Sequence, residues 1–201
     1  MKVNVYVEGG GDAKALKIRC RRGFRQFFER AGLSGRMPTV VPCGSRNNAF
    51  ESYCTALAAA GQNDFPVLLV DSESAVTQEP WDHLKTRDNW QRPANSNDEQ
   101  AHLMVQCMEA WFIVDRESLA RFFGQGFSEN PLPESQDIET ISKQNVFHAL
   151  QMATRNSKTK GEYGKSEHSF EILGQLDPAK VRRGSSHARK LLDALITRCG
   201  P

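Results

Sequence analysis

The sequence feature that most constrains the fold is an uninterrupted apolar run at residues 65–70, with the sequence Phe-Pro-Val-Leu-Leu-Val. A strand that faces water on one side alternates apolar and polar residues, whereas this run has no polar position. Strands buried on both faces have this composition, and they occur mainly in parallel sheets that helices cover on each side. The run therefore predicts a central strand of a parallel α/β sheet.

Predicted strands and helices alternate along the chain before this run, and a further strand is predicted after it. Strand-like stretches occur at residues 3–7, 38–42 and 101–107, and helical spacing of apolar residues occurs between Asp12 and Gly32 and at 48–60. This order implies right-handed crossovers and a mostly parallel central sheet flanked by helices. Pro38 and Pro42 indicate that the second strand lies at or near an edge of the sheet.

The chain length suits a single domain of ordinary size, or a compact domain with a substantial extension, since it has 201 residues. We expect an α/β core over residues 1–121, with a long loop at about 75–100. An irregular excursion and a helical C-terminal region follow over 122–201 and pack on the core. Within that region, helical segments are expected near residues 145–154, 167–176 and 186–198.

The overall composition excludes several classes of protein. With 26 basic and 24 acidic residues the net charge is only +2, so whole-chain charge does not identify a partner. No apolar run approaches the roughly 18 residues of a membrane span, and the N-terminus enters a strand rather than a signal peptide. The 5 cysteines and 5 histidines lack the spacing of a disulfide framework or a zinc site. We expect a soluble, cytoplasmic protein without a membrane segment.

Three acidic residues follow predicted strands and are the main candidates for a site. Glu8 comes directly after the first strand, and Asp71 and Glu73 come directly after the buried run. Since the carboxyl ends of neighbouring parallel strands share one edge, these carboxylates should lie together. Close carboxylates repel one another unless a cation compensates them, which predicts Mg²⁺, or else Mn²⁺, at Glu8, Asp71 and Glu73. Glu109 is either a further acid of this site or a first-turn acid favoured by a helix dipole.

A glycine loop lies between Glu8 and the first helix. Gly9, Gly10 and Gly11 permit a tight turn and a close backbone approach to a ligand, and Asp12 is placed to cap the helix that follows. The loop has neither the spacing of a dinucleotide fingerprint nor the Gly-Lys-Ser/Thr of a P-loop. It can therefore be a phosphate-binding turn or simply a turn.

Two basic stretches are candidates for phosphate contacts. One is the polar face of the first helix, with Lys14, Lys17, Arg19, Arg21, Arg22, Arg25 and Arg30. The other is the glycine-punctuated segment 155–165, which contains Lys160 and Lys165. Each suits a phosphate backbone or a nucleotide, and each can equally be a solvated surface.

These residues together resemble the Toprim superfamily of topoisomerases and primases. That superfamily has a strand ending in Glu-Gly-x-x-Asp, which residues 8–12 match, and a later strand ending in Asp-x-Asp, which Asp71 and Glu73 match except that Glu73 replaces the second Asp. The resemblance implies a Toprim-like Rossmannoid core. It further implies that Glu8 is a metal ligand or general acid/base and that Asp71 and Glu73 hold Mg²⁺. The longer Glu73 side chain departs from the pattern expected for two-metal cleavage.

The chain is similar, more specifically, to an uncharacterised Toprim-like bacterial family of about this length. Its segments Met-Glu-x-Trp-Phe and Lys-Gly-x-Tyr-x-Lys correspond here to residues 108–112 and 160–165, and Asp177-Pro178, Arg182 and Ser186-His187 follow. Genes of that family often stand beside ABC- or AAA-type ATPases, an arrangement that resembles OLD-type defence nucleases. The implied phosphate- or nucleic-acid-binding residues are Gly9, Gly10, Gly11, Asp12, Lys160, Lys165, Arg182 and His187.

The residues and the resemblance lead to one principal functional hypothesis and two alternatives. The principal one is a metal-dependent nuclease that works with an ATPase in defence or DNA processing, with DNA expected in preference to RNA. The first alternative is a non-catalytic subunit of an ATPase complex that binds nucleotide or nucleic acid. A phosphatase or phosphotransferase for small molecules is disfavoured, because the Asp-x-Glu pair follows the third predicted strand and not the first. The sequence leaves the oligomeric state open.

Overall fold

The computed structural model describes residues 1–200 and has a four-stranded sheet at its centre. All of the strand pairs are parallel, and the spatial order is β2-β1-β3-β4. The strands are β1 (Lys2–Val7), β2 (Thr39–Pro42), β3 (Asp64–Asp71) and β4 (Ala101–Met104). The predicted α/β class with a parallel sheet is confirmed.

The apolar run predicted as a central strand forms β3, which pairs with β1 on one side and β4 on the other. Every residue of β3 after Asp64 is buried. Since successive side chains of a strand point to opposite faces, this run places apolar side chains on both sides of the sheet. The proline-flanked β2 lies at the edge, as its prolines predicted.

Nine α-helices surround the sheet within residues 1–200. They are α1 (Lys14–Phe28), α2 (Arg46–Ala58), α3 (Pro80–Asp88), α4 (Ala110–Ile113), α5 (Arg116–Phe123), α6 (Lys143–Thr154), α7 (Lys165–Leu173), α8 (Pro178–Gly184) and α9 (Ser186–Arg198). None of the helices in this part of the chain is both long and apolar enough to cross a membrane.

Two apolar layers cover the two faces of the sheet. On one face, Val67 and Leu69 belong to a cluster with side chains of α1, α4 and the C-terminal helices, among them Phe24, Phe27, Trp111 and Leu191. On the other face, Leu68 and Val70 belong to a cluster with side chains of α2, α3 and β4, among them Tyr53, Leu84 and Leu103. Each buried side chain of this size stabilises the fold by about 1.5–3 kcal/mol. The alternating direction of the side chains along β3 thus gives each face of the sheet its own set of helices.

Three helices, α3, α5 and α8, were not predicted from the sequence, and two of them, α3 and α8, carry a recognisable start signal. The expected loop at about 75–100 contains α3, which begins at Pro80 and buries Trp81 and Leu84. The C-terminal region contains α8, with Asp177 as its N-cap and Pro178 in its first turn. Both begin with a proline at a first-turn position, where the missing N–H costs nothing. Pro80 and Pro178 were therefore sequence signals for the starts of these two helices.

Candidate metal centre

The structure brings Glu8, Asp71 and Glu73 together at the carboxyl edge of the sheet. β1 and β3 are neighbours, and the Asp71 N–H donates a hydrogen bond to Oε2 of Glu8 at 3.2 Å. One carboxylate oxygen from each of the three residues lies within 4.8 Å of the other two. A hard cation with ligand distances of about 2.1–2.5 Å can bind oxygens that are up to roughly 4–5 Å apart. The three carboxylates therefore fit a divalent ion that prefers oxygen ligands.

Glu73 reaches this position through an unusual backbone conformation. Its φ is +66°, in the left-handed region that costs a non-glycine residue roughly 1–2 kcal/mol. The Glu73 N–H donates to the carbonyl of Gln106 at 2.8 Å, and the hydroxyl of Ser72 donates to the carbonyl of Ser74 at 2.6 Å. These bonds hold the turn after β3 in a shape that returns the Glu73 carboxylate to Asp71. Backbone strain of this kind is concentrated at functional sites.

Arg46, the first residue of α2, contacts both Glu8 and the backbone at the end of β3. Nη1 of Arg46 lies 3.3 Å from Oε2 of Glu8 and also donates to the carbonyl of Asp71. Its Nε and Nη2 donate to the two carboxylate oxygens of Asp88 at 2.9 and 2.6 Å. The guanidinium also lies over the ring of Trp90, 5.0 Å from the centroid. Arg46 therefore fixes the Glu8 carboxylate relative to the end of β3.

Two lysines from the C-terminal helices add positive charge beside the acids. Nζ of Lys143 lies 2.5 Å from Oε1 of Glu73 and 3.6 Å from Oδ2 of Asp71. Nζ of Lys165 lies 3.8 Å from the same Asp71 oxygen and 3.7 Å from Oε1 of Glu109. Burial opposes the charge on both lysines, yet the neighbouring carboxylates raise the pKa of each above its usual value. Both ammonium groups therefore stay protonated beside the acids.

Asp71 is the most strongly perturbed acid of the three. It is only 4% exposed, and Oδ1 accepts a hydrogen bond from the Met108 N–H at 2.9 Å. Burial, followed by the negative charges of Glu109 and Glu8, raises the pKa of Asp71 to about 7 even though Lys165 and Lys143 act in the opposite direction. The cations already present do not offset this crowding of negative charge. A bound divalent cation would offset this negative charge.

Glu109 lies in the same region, although it is outside the group of three acids at ligand distance. It is 0% exposed, and its Oε1 accepts hydrogen bonds from the hydroxyls of Tyr163 at 3.3 Å and Ser169 at 3.1 Å. Its Oε2 is buried and has no hydrogen-bond partner among residues 1–200. A first-turn acid in solvent would not be placed in this way. Glu109 is therefore a buried acid of this region and not a solvated first-turn acid.

A cavity of about 240 Å³ opens at these acids. Its lining combines carboxylates, the glycine loop, apolar side chains and the first turn of α7: Glu8, Gly9, Gly10, Gly11, Leu16, Gly44, Asp71, Met104, Met108, Glu109, Lys165, Ser166, Ser169 and Phe170. The three consecutive glycines have φ values of +132°, +82° and +48°, a path that only glycine follows without strain. The loop therefore brings bare backbone to the cavity wall, which suits close approach of a phosphate.

The prediction that Asp12 caps the first helix is wrong. The N-cap of α1 is Ala13, and no side chain makes a capping hydrogen bond there. The left-handed glycine loop extends one residue further than expected, which leaves Asp12 exposed before the cap position. The start of α1 therefore has free N–H groups close to the cavity.

The predicted phosphate-binding residues are divided by the structure. Lys165 lines the cavity together with the glycine loop, whereas Asp12 and the three basic residues Lys160, Arg182 and His187 do not line it. Those three pair with acids of the C-terminal region: Lys160 with Glu171 (3.4 Å), Arg182 with Asp193, and His187 with Glu139 (3.0 Å). Their contacts join elements of the C-terminal region to one another.

Sequence reasoning missed Arg46 and Lys143. Arg46 follows Ser45, which caps α2 after the end of β2. Helices that follow parallel strands begin at the same edge where the strands end, so Arg46 could have been assigned to the site. Lys143 lies 70 residues from its partner Glu73, and no local pattern indicates that contact.

Comparison with known families gives one match. A family model described as "Domain of unknown function (DUF4276)" matches residues 7–196, which is nearly the whole chain. No curated protein and no solved structure matches the chain.

Proposed function

The chain belongs to the family described as domain of unknown function DUF4276, and we propose that it is a divalent-cation-dependent nuclease. The observation that supports this most is the convergence of Glu8, Asp71 and Glu73 within 4.8 Å of one another beside a glycine-lined cavity. The Toprim-like pattern of residues 8–12 and of Asp71 and Glu73 supports the same assignment. The cation that the three carboxylates would hold is Mg²⁺ or Mn²⁺.

The bound cation would polarise the scissile phosphate and lower the pKa of an attacking water. Glu8 would move the proton of that water, because both hydrogen bonds that residues 1–200 make to its carboxylate end on Oε2 and leave Oε1 available. Arg46 keeps Glu8 in a fixed orientation during that transfer. Glu8 is thus assigned the proton-transfer step as well as a share in binding the cation.

Lys165 and Lys143 would stabilise negative charge that develops on the phosphate. Lys165 is the better placed, since it lines the cavity and its side chain is 53% exposed. Its ammonium can turn towards a phosphate oxygen without a change in the backbone. Fixed positive charge at a site where negative charge develops is a major contribution to catalysis of phosphoryl transfer.

We include in the proposal that the natural substrate is DNA rather than RNA and that an ABC- or AAA-type ATPase is the partner. Both rest on the resemblance to OLD-type defence nucleases. One observation favours the alternative of a non-catalytic subunit: Arg46, Lys143 and Lys165 already neutralise much of the acidic charge. A binding subunit would need the basic residues and would tolerate loss of the carboxylates.

Cleavage assays on single- and double-stranded DNA and RNA, with Mg²⁺ or Mn²⁺, test the proposal. We expect metal-dependent cleavage by the wild type and a loss of at least about 100-fold in Glu8→Ala and Asp71→Asn, because each change removes a cation ligand. Glu51→Ala and Asp82→Asn remove exposed acids elsewhere and serve as matched controls that keep activity. Absence of cleavage, even with the ATPase added, would overturn the nuclease assignment in favour of the binding subunit.

A further inference from the structure

A second cavity, of about 500 Å³, lies between α1 and α7. Its lining contains three arginines from α1 and the turn that follows it, together with residues at the end of α7: Arg19, Arg22, Gln26, Arg30, Phe170, Glu171, Gly174 and Gln175. We call this the arginine groove. No residue of the proposed catalytic group lines it.

The backbones of α1 and α7, the two helices that line the arginine groove, are in contact with each other. A Cβ atom at Gly23 of α1 would lie 2.4 Å from the carbonyl oxygen of Phe170 in α7, so only glycine permits this approach. Because the backbones are in contact, the larger side chains line the groove and do not fill the space between the helices. The groove therefore results from the packing of α1 against α7.

The positive charge of the groove is largely uncompensated. Arg22 and Arg30 have no carboxylate within ion-pair distance in the described chain, residues 1–200, and Arg19 donates only to the carbonyl of Glu167 at 3.5 Å. The one acid in the lining, Glu171, is paired with Lys160 at 3.4 Å. Three neighbouring cations without counter-charges favour an anionic ligand.

The arginine groove adjoins the cavity at the candidate metal centre. Phe170 lines both cavities, and its ring lies against the glycine loop, 3.2 Å from where a Cβ of Gly9 would be. At a rise of 1.5 Å per residue, the distance along the helix from Arg19 to Arg30 is on the order of 16 Å, about the length of five stacked nucleotides. An extended polyanion in the groove would thus have one end at the acids.

We propose that the arginine groove binds the phosphate backbone of one nucleic-acid strand and directs that strand to Glu8 and Asp71. This inference rests on the proposed function for the identity of the ligand. It assigns substrate binding to α1 and α7, in place of the C-terminal residues Lys160 and Arg182, which have acidic partners. Contacts of this type hold a strand without reading its sequence.

Binding measured in EDTA, where no cleavage occurs, tests the groove separately from catalysis. Fluorescence anisotropy with a labelled single-stranded DNA of about 20 nucleotides compares the wild type with the triple variant Arg19→Ala/Arg22→Ala/Arg30→Ala. The control triple Arg36→Ala/Arg183→Ala/Arg189→Ala makes the same charge change at exposed positions outside the groove and outside the basic face of α1. Circular dichroism verifies that both triples are folded. Parallel titrations with duplex DNA and with RNA identify the preferred form.

We expect at least about a 10-fold loss of affinity in the groove triple and less than about 3-fold in the control. The slope of log affinity against log salt should fall by about 2 in the groove triple, since each lost phosphate contact on a single strand contributes roughly 0.7. Equal affinity of the two triples would overturn the proposal, and an acidic protein segment would then be the candidate occupant. If the groove triple binds weakly while the wild type shows no cleavage, the groove proposal stands and the nuclease assignment fails.

Discussion

Asp71 ends the central strand β3 and is itself buried, so water stabilises a negative charge on its carboxylate poorly. The fold nevertheless surrounds it with Glu8 and Glu109, whose charges add to the effect of burial and raise the pKa of Asp71 to about 7. A side chain with this environment costs stability in the absence of a cation. Acids with a strongly perturbed pKa are concentrated at functional sites.

Replacement of Asp71 by Asn should stabilise the metal-free protein. The pKa of Asp71 is about 7 in the folded state and 3.8 when unperturbed, so the folded state binds more protons between these values. Stability therefore falls as pH rises from about 4 to about 7 and then levels off. At pH 8 the charged Asp71 costs the wild type up to about 4 kcal/mol, a cost that is absent from the Asp71→Asn variant. Urea unfolding in EDTA at pH 8 and at pH 4 measures the difference, which should nearly vanish at pH 4.

Addition of Mg²⁺ provides the control for this stability prediction. Millimolar Mg²⁺ should raise the unfolding free energy of the wild type at pH 8 and leave that of Asp71→Asn unchanged, because ligand binding stabilises only the form that binds. Asp82→Asn, on the exposed side of α3, should behave like the wild type in both buffers. An Asp71→Asn variant less stable than the wild type in EDTA at pH 8 would contradict the assignment of Asp71 as a destabilising acid.

Individual site residues were predictable to the extent that they sit at strand ends. Glu8, Asp71 and Glu73 could be placed together because the carboxyl ends of parallel strands share an edge. The failure at Asp12 has a local cause, since three consecutive left-handed glycines displaced the helix start. The environment of Glu109 depends on Tyr163 and Ser169, more than 50 residues away, so the sequence left two interpretations open.

At the scale of elements, Glu139 ties the segment before α6 to the start of α9. Its Oε1 accepts hydrogen bonds from the Ser185 hydroxyl at 2.6 Å and the His187 N–H at 2.8 Å, and its Oε2 accepts from the Ser186 hydroxyl at 2.9 Å. The carboxylate thus completes the N-terminus of a 13-residue helix, where negative charge is favoured. Although burial opposes ionisation, hydrogen bonds from His187 and Ser185 lower the pKa of Glu139 to about 2.

Glu139→Gln should therefore destabilise the protein in a pH-dependent way. The folded pKa of about 2 lies below the usual 4.5, so the stabilisation is fully present above pH 4.5 and is lost as pH falls towards 2. We expect a loss of about 3 kcal/mol at pH 7 and a smaller loss at pH 3.5. Glu134→Gln, at a neighbouring exposed position, should change stability little at either pH. A loss of equal size at both pH values would show that the charge of Glu139 is not responsible.

The elements themselves were predicted best where apolar periodicity was strong. The four strands, α1, α2 and the cores of α6, α7 and α9 follow such patterns. The helices α3 and α8 were missed because their segments are short and polar, although Pro80 and Pro178 are typical of helix starts.

At the scale of the whole molecule, the candidate site combines the two ends of the chain. The acids come from β1 and β3, whereas Lys143 and Lys165 come from α6 and α7, which belong to the C-terminal region. The C-terminal helices also share an apolar cluster with the sheet. Loss of that region would therefore remove two of the three cations next to the acids. Contacts across such sequence distances cannot be predicted from local patterns.

The central claim is that Glu8, Asp71 and Glu73 jointly hold one divalent cation. Anomalous diffraction from crystals soaked with Mn²⁺ at pH 8, where Asp71 is ionised, tests it most directly. We expect a single strong peak at the end of β1 and β3, within about 2.5 Å of a carboxylate oxygen of each of the three residues. A site without Mn²⁺ in well-diffracting soaked crystals, or a peak bound by only one of these carboxylates, would contradict it.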